Sequence, residues 1–249
     1  MTIVFVHGNP ETDAVWDPLR AELGRSDVVA LSPPGFGAPV PTGFGATMTE
    51  YRDWLISRLV EIGEPVDLVG HDWGGGHVLN VAMARPDLLR SWASDTIGTF
   101  HPDYVWHGLA QVWQTPGAGE EFVETLTGDT VEDRTEQLRR MGIPDGTAVK
   151  LAEGQTSELG WCILALYRSA AQPALAQAGE SLSTAAARPG LAISPTEDPF
   201  LGSLQSRREA AEKAGARVVE LEGLAHWWML QDPVRSAAIL TEFWSSLPT

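Results

Sequence analysis

The amino-acid sequence predicts an α/β fold in which helices cover both faces of a mostly parallel sheet. Short runs rich in Val, Ile and Leu alternate with amphipathic segments along most of the chain. This alternation is typical of parallel sheets, because their strands are buried on both faces. The loops are rich in Gly and Pro, as in SPPGFGAPVPTGFG, and 249 residues are enough for one large domain with a sizeable core.

Six apolar runs are predicted to form the strands, at residues 2–7, 28–31, 66–69, 91–95, 190–193 and 217–221. Between them, apolar residues recur at helical spacing. The predicted buried helix faces are those of Trp16, Leu19 and Leu23, of Tyr51, Leu55 and Leu59, of Val78, Val81 and Ala82, and of Ala237, Leu240 and Phe243.

The alternation stops at residues 101–187, where the pattern becomes helical and polar, with breaks at TPGAG, IPDG and ARPG. This segment joins the ends of two neighbouring predicted strands, and ordinary helical packing would explain it. The carboxyl ends of parallel strands are, however, where such sheets bind ligands. We therefore predict a core of residues 1–100 and 188–249 and a helical cap of residues 101–187.

Composition and charge restrict the partners of the chain. Its 17 basic and 33 acidic side chains give a formal charge of −16, which disfavours binding to nucleic acid or to anionic membranes. Cys162 is the sole cysteine, so an intramolecular disulfide or a thiolate metal cluster is excluded. The first residues, MTIVFVHGNP, have no basic region, and no long apolar run follows. We expect a cytoplasmic protein.

The strongest local signal is DLVGHDWGGG at residues 67–76, an apolar strand followed by a tight turn and a helix. This is the pattern of a nucleophile elbow, with Asp72 where the common G-x-S-x-G motif has serine. Gly70 and Gly74 remove side chains that would collide in a sharp turn. The pattern therefore predicts that Asp72 projects alone into a cleft.

A second strand-to-turn element, VFVHGNP, ends at the same edge of the predicted sheet. Its simplest interpretation is a turn. Together with the elbow, it suggests an oxyanion hole formed by the backbone N–H groups of Asn9 and Trp73.

Two further loops supply a base and an acid. His226 follows the last predicted strand in GLAHWWMLQDP, and Asp198 follows the strand before it in SPTEDPF. Asp95, after an earlier strand, is a rival acid. His7 and His71 lie beside turn glycines and are predicted to hold those turns by hydrogen bonds.

These motifs resemble the α/β-hydrolase superfamily, and within it the aspartate-nucleophile branch of epoxide hydrolases and haloalkane dehalogenases. The resemblance covers residues 4–244 and is carried by HGNP, GHDWGG, TEDP and AHWW. It implies an α/β-hydrolase fold with Asp72, Asp198 and His226 as the catalytic triad. The first strand begins at residue 2 or 3, so the two strands that usually precede it in this family are missing.

An aspartate nucleophile implies attack at a saturated carbon. Its carboxyl, with an ordinary pKa of about 3.9, is ionised at neutral pH and can form an alkyl ester on Asp72. His226, oriented by Asp198, would then activate a water that attacks the ester, while the amides of Asn9 and Trp73 stabilise the oxyanion.

Opening an epoxide also needs a proton donor. Tyr167 in LALYRSA resembles one such tyrosine of the epoxide hydrolases, and WQTPGAGE is similar to a cap motif of that family. The second tyrosine of that family corresponds to Leu109 here. The candidates to replace it are Tyr104, Trp106 and His107.

A halide needs only N–H donors, and Asn9 and Trp73 match the halide-binding residues of the haloalkane dehalogenases. We favour an epoxide hydrolase over this alternative. A third possibility is a ligand-binding protein or a specialised biosynthetic catalyst on the same fold.

The aromatic residues of the predicted cap suggest the substrate pocket. Trp106, His107 and Trp113, with Trp161 as a further candidate, are predicted to line a pocket for a small apolar organic substrate and water. The sequence has no G-x-G-x-x-G fingerprint and no metal motif, so we expect no cofactor and no metal. The oligomeric state is not predicted.

Overall fold

The structure is a computed structural model that describes residues 1–128 and 130–248. Within them lies a six-stranded sheet in the order β2-β1-β3-β4-β5-β6, with every neighbouring pair parallel. The strands are β1 (Ile3–Val6), β2 (Val28–Leu31), β3 (Val66–Gly70), β4 (Leu89–Ser94), β5 (Gly190–Pro195) and β6 (Ala216–Leu221). The predicted parallel sheet is confirmed, and β2 and β6 form its two edges.

The helices account for the other predicted elements. They are α1 (Asp17–Leu23), α2 (Met48–Ile62), α3 (Trp73–Ala84), α4 (Gly108–Gln114), α5 (Ala118–Gly128), α6 (Val131–Arg140), α7 (Asp145–Gly154), α8 (Glu158–Ser169), α9 (Ala174–Glu180), α10 (Leu204–Lys213), α11 (Trp228–Gln231) and α12 (Pro233–Ser245). None of these helices in the described part of the chain is long and apolar enough to cross a membrane.

Two hydrophobic clusters, one on each face of the sheet, confirm that helices cover both faces. Successive side chains of a strand point to opposite faces. In β1, Val4 and Val6 pack with α2 and α3, whereas Ile3 and Phe5 pack with α1 and α12. All four side chains are buried. The predicted helix faces are buried as well, except that Leu23 at the end of α1 is only partly covered.

The segment between β4 and β5 contains α4 to α9. Helices α4, α5 and α8 pack against one another, and α8 also contacts α2. The division of the chain into a core and a cap stays a prediction.

Candidate active site

Asp72 occupies a strained turn between β3 and α3. Its backbone angles are φ 50° and ψ −128°, a region that costs a residue with a side chain about 1–3 kcal/mol. A Cβ at Gly70 would lie 2.4 Å from the carbonyl oxygen of Gly74, and one at Gly74 would lie 2.1 Å from that of Val6. The flanking glycines are therefore required, and the turn presents the Asp72 side chain at the carboxyl edge of the sheet.

The Asp72 carboxylate also contacts the loop after β1. Its Oδ1 accepts a hydrogen bond from the backbone N–H of Asn9 at 2.9 Å. A Cβ at Gly8 would lie only 2.1 Å from the same oxygen. Burial raises the pKa of the Asp72 carboxyl above its ordinary value, although positive charge on His226 and His71 opposes this shift.

His226 and Asp198 lie beside Asp72. Nδ1 of His226 donates to Oδ2 of Asp198 at 2.8 Å, and Nε2 of His226 lies 4.0 Å from Oδ2 of Asp72. Burial lowers the pKa of His226, but the hydrogen bond to Asp198 and nearby carboxylates raise it overall. Burial raises the pKa of Asp198, but the hydrogen bond from His226 lowers it overall. The three predicted triad residues are thus in one chain of contacts.

Asp95, the rival acid, faces a different partner. Its carboxylate accepts from His71 Nδ1 at 2.5 Å, from Trp228 Nε1 at 2.8 Å and from the backbone N–H of Asp72 at 3.0 Å. Asp198 rather than Asp95 therefore pairs with His226.

A buried ion network lies behind the triad, and sequence analysis missed it. His71 was expected to hold its own turn, but its Nδ1 bonds to Asp95 and its Nε2 bonds to Oε1 of Glu11 at 3.1 Å. Burial lowers the pKa of His71, but the charges of Glu11 and Asp95 raise it well above its ordinary value. A carboxylate at each ring nitrogen thus favours the protonated form of His71, and its ring centre lies 4.6 Å from that of His226.

Glu11 is the other end of this network. Burial raises its pKa, but His71 lowers it to about 2 overall. Its carboxylate also accepts from Trp227 Nε1 at 2.5 Å and from the backbone N–H of Gly8 at 3.3 Å. The signal in the sequence is an acidic residue two positions after HGN, at the end of a buried strand.

Glu11, His71 and His226 have ligand atoms within 4.8 Å of one another. Both ring nitrogens of His71 already donate to carboxylates, and Nδ1 of His226 donates to Asp198. This arrangement satisfies an imidazolium between two carboxylates and leaves His71 no lone pair for a metal. The expectation of no metal and no cofactor stays a prediction.

The narrow cavity above Asp72 encloses about 30 Å³ and is mostly apolar. Its lining residues come from the sheet edge, from the segment before β5 and from the loop after β5; they include Asp72, Trp73, Tyr104, Trp106, His107, Tyr167, Phe200 and Leu201. Trp106 stacks on Trp73 with ring centres 5.7 Å apart. Such a site suits a small apolar molecule.

Tyr167 on α8 reaches this cavity and is buried. Burial raises the pKa of its hydroxyl well above the ordinary value, so it keeps its proton. The side chains of Asn9 and Trp73 approach the hydroxyl. Neither polar atom of the Asn9 amide has a hydrogen-bond partner within residues 1–128 and 130–248.

His107 and Tyr104 line the same cavity, but they differ in which of their polar groups are already hydrogen-bonded within the protein. Nδ1 of His107 accepts from the backbone N–H of Ala110 at 3.2 Å, and burial lowers the pKa of His107 to about 4. His107 is therefore neutral, with its proton on Nε2. The hydroxyl of Tyr104 donates to the carbonyl of Phe200 at 2.7 Å and is already committed.

Two predicted pocket residues lie elsewhere. Trp113 packs behind Tyr167, with ring centres 4.6 Å apart, and is absent from the lining of the cavity. Trp161 is 47% exposed on the outer side of α8. A tryptophan on a helix faces the cavity only if the helix is rotated so, which composition does not specify, and the part of Trp113 and Trp161 in a substrate pocket stays a prediction. Leu109, at the position of the second family tyrosine, is also exposed.

Comparisons with known proteins agree with this fold. The model of the alpha/beta hydrolase family matches residues 3–239. A probable oxidoreductase, EphD, of Mycobacterium tuberculosis is 33% identical over an alignment of 130 positions that covers 45% of this chain and 21% of that protein. An epoxide hydrolase of Caballeronia sordidicola is 28% identical over 102 residues, covering 36% of this chain and 29% of that protein. The chain thus spans less than a third of the length of these relatives.

Among solved structures, the haloalkane dehalogenase DbeA from Bradyrhizobium elkani superposes with a TM-score of 0.73. The superposition covers 98% of this chain and 91% of that one, at 20% sequence identity. At this level of identity the likeness concerns the fold.

Proposed function

The chain belongs to the alpha/beta hydrolase family, and on this basis we propose that it is a hydrolase that opens small apolar epoxides, with Asp72 as the nucleophile. Residues 101–187 act as a cap that closes the site from water. The relatives include an epoxide hydrolase. The proposal itself is supported by the groups around Asp72.

In the first half of the reaction, Asp72 forms an ester. Oδ1 of Asp72 is held by the N–H of Asn9, so Oδ2 is the attacking oxygen. It displaces the epoxide oxygen from a ring carbon, and the electron pair of the broken C–O bond passes to that oxygen. The oxygen takes the proton of Tyr167, giving a hydroxyalkyl ester and a tyrosinate that regains a proton from water.

The observation that carries this proposal is the position of Tyr167, which is buried and lines the same mostly apolar cavity as Asp72. In a mostly apolar cavity a neutral O–H can act as general acid toward an alkoxide, whereas a halide leaving group needs no proton. Nε2–H of His107 can donate a second hydrogen bond to that oxygen without giving up its proton, because the bond that Nδ1 accepts fixes the proton on Nε2.

In the second half, the ester is hydrolysed. His226 accepts a proton from water, which attacks Cγ of Asp72, and Asp198 stabilises the imidazolium that forms. Negative charge develops on Oδ1, where the N–H of Asn9 and the amino end of α3 favour it. Collapse of the intermediate passes the proton of the added hydroxyl to the departing alkoxide, which releases the diol and restores the Asp72 carboxylate. His226 returns its proton to water, and this balances the proton that Tyr167 regains.

One observation favours haloalkane dehalogenation as the second candidate. The side-chain amide of Asn9 is buried without a hydrogen-bond partner among the described residues, and it approaches the Tyr167 hydroxyl together with Trp73. N–H donors at such a point would stabilise a halide. A ligand-binding protein or a specialised biosynthetic catalyst is the third candidate.

Trapping the ester distinguishes these candidates. The variant His226→Gln is incubated with small epoxides and with terminal bromoalkanes, and the mass of the intact protein is measured. An adduct with the mass of the whole epoxide supports the proposal, whereas an adduct with the mass of the alkyl group alone supports dehalogenation. An unmodified protein with both classes would overturn both activities in favour of the third candidate.

A further inference from the structure

The loop of residues 195–202, the acid loop, joins β5 to α10 and has two tasks. It carries Asp198, which pairs with His226. It also supplies Phe200 and Leu201 to the wall of the cavity. Its backbone conformation therefore determines both the position of the acid and part of the substrate site.

The side chain of Arg207, on α10, donates hydrogen bonds to the backbone of this loop. Its guanidinium donates to the carbonyl oxygens of Pro195 and Asp198, both at 2.6 Å, and of Gly202 at 3.1 Å. A longer contact of 3.4 Å reaches Oγ of Ser194. All four acceptors are neutral, and three of them are backbone groups of the acid loop.

Because Arg207 is buried, its hydrogen bonds have to offset the cost of removing its charge from water. The residue is only 4% exposed, and burying a cation costs free energy that packing alone would not offset. Burial lowers the pKa of Arg207, while the carboxylate of Asp198 is the charge that opposes this most. The fixed donor geometry of a guanidinium also suits a site with several acceptors better than an ammonium does.

We propose that Arg207 is a positioning residue that holds the acid loop so that Asp198 is aligned with His226. This inference rests on the proposed function. Arg207 acts through Asp198 and therefore through the hydrolysis of the ester. Its loss should slow ester breakdown much more than ester formation, because Asp72 attacks without help from Asp198.

The neighbouring residue offers a matched control. Arg208 lies on the same helix, but its side chain is exposed and donates to Oε1 of Glu220 at 2.7 Å. Removing its charge changes the local charge as much as removing that of Arg207, without touching the acid loop.

The test uses Arg207→Met, Arg207→Lys and Arg208→Met in single-turnover reactions followed by the mass of the intact protein. In Arg207→Met, we expect ester breakdown to slow by about 10- to 100-fold, as for a misplaced catalytic group, with ester formation slowed by a smaller factor through the shift of Phe200 and Leu201. Arg207→Lys should recover part of the loss, and Arg208→Met should match the parent chain. Breakdown at the parent rate in folded Arg207→Met overturns the inference.

A second measurement tests the role of Arg207 without depending on the proposed reaction. The Nδ1 proton of His226, hydrogen-bonded to Asp198, should give a downfield NMR signal. We expect this signal to shift or broaden in both Arg207 variants, but not in Arg208→Met. If no ester forms in the parent chain or in any variant, the proposed function fails. An unchanged NMR signal in Arg207→Lys overturns the role of Arg207, and this test remains available even if Arg207→Met does not fold.

Discussion

Nε2 of His226 lies 4.0 Å from Oδ2 of Asp72, while its Nδ1 donates to Asp198 at 2.8 Å. The imidazole of His226 is thus hydrogen-bonded to Asp198 and not to Asp72. A serine nucleophile would need a hydrogen bond to the base, because its proton has to be removed before attack. An aspartate does not, so this spacing suits a histidine that acts on water after the ester has formed.

The first prediction concerns the strain at Asp72. Glycine adopts positive φ without penalty, and Asp72→Gly also removes a buried carboxylate. We expect this variant to form no ester, but to unfold at a higher denaturant concentration, with a gain of about 1 kcal/mol after the greater entropy of unfolded glycine is subtracted. Intact mass and urea unfolding measure the two effects. A less stable Asp72→Gly would contradict the assignment of strain.

The second prediction separates the two leaving groups. Tyr167→Phe removes the proposed proton donor, so ester formation from an epoxide should fall by about 100-fold or more. Alkylation by a bromoalkane should change little. The control is Tyr104→Phe, which lines the same cavity but has its hydroxyl committed to Phe200; its effect on ester formation should be smaller. Equal losses in both variants would argue against Tyr167 as the donor.

The third prediction concerns the pH dependence of ester breakdown. The pKa of His226 is raised, and below it the ring is protonated and cannot accept a proton from water. Breakdown should therefore slow about tenfold per pH unit below this pKa and level off above it. Asp198→Asn weakens the interaction that raises the pKa, so the midpoint should move to lower pH and the plateau should fall. Single-turnover reactions across pH give both quantities, and an unmoved midpoint would refute the pairing.

The fourth prediction compares two glutamates whose pKa values are both lowered to about 2. Glu11 is buried against His71, whereas Glu120 is exposed beside Arg168. Glu11→Gln leaves a buried imidazolium partly unpaired and should cost about 3–5 kcal/mol of unfolding free energy. Glu120→Gln should cost much less, because solvent screens that pair.

The pH dependence of the unfolding free energy tests the interaction of Glu11 with His71 in a second way. The folded pKa of Glu11 lies below its ordinary value of 4.5, so its stabilisation is present above that value and is lost as pH falls toward 2. Urea unfolding at several pH values should show less acid destabilisation in Glu11→Gln than in the parent chain. Parallel curves for the two would contradict this role of Glu11.

The sequence predicted the features that depend on short stretches of chain. Alternating apolar runs located the six strands, and the glycines around Asp72 located the elbow because a sharp turn has a local signature. Contacts between residues far apart in the chain have no such local signature in the sequence. Glu11 meets His71 across 60 positions and Trp227 across 216, and only the folded sheet brings those loops together.

The rotation of each helix about its own axis was the other feature that the sequence did not predict. Trp113 and Trp161 looked equivalent in the sequence, but the helix of one turns it inward against Tyr167 and the helix of the other turns it to the surface. Arg207 and Arg208 are neighbours in the chain, and a turn of about 100° per residue separates a buried cation from an exposed one.

The contact between Gly8 and Asp72 couples the residues that two distant positions can accept. A Cβ at position 8 would lie 2.1 Å from Oδ1 of Asp72 and 2.4 Å from its Cβ, so position 8 can vary freely only in a chain that has glycine at position 72. The change Asp72→Gly should thereby open position 8 to alanine, and the order of the two changes would matter: Gly8→Ala made first passes through a chain in which the Asp72 side chain is displaced.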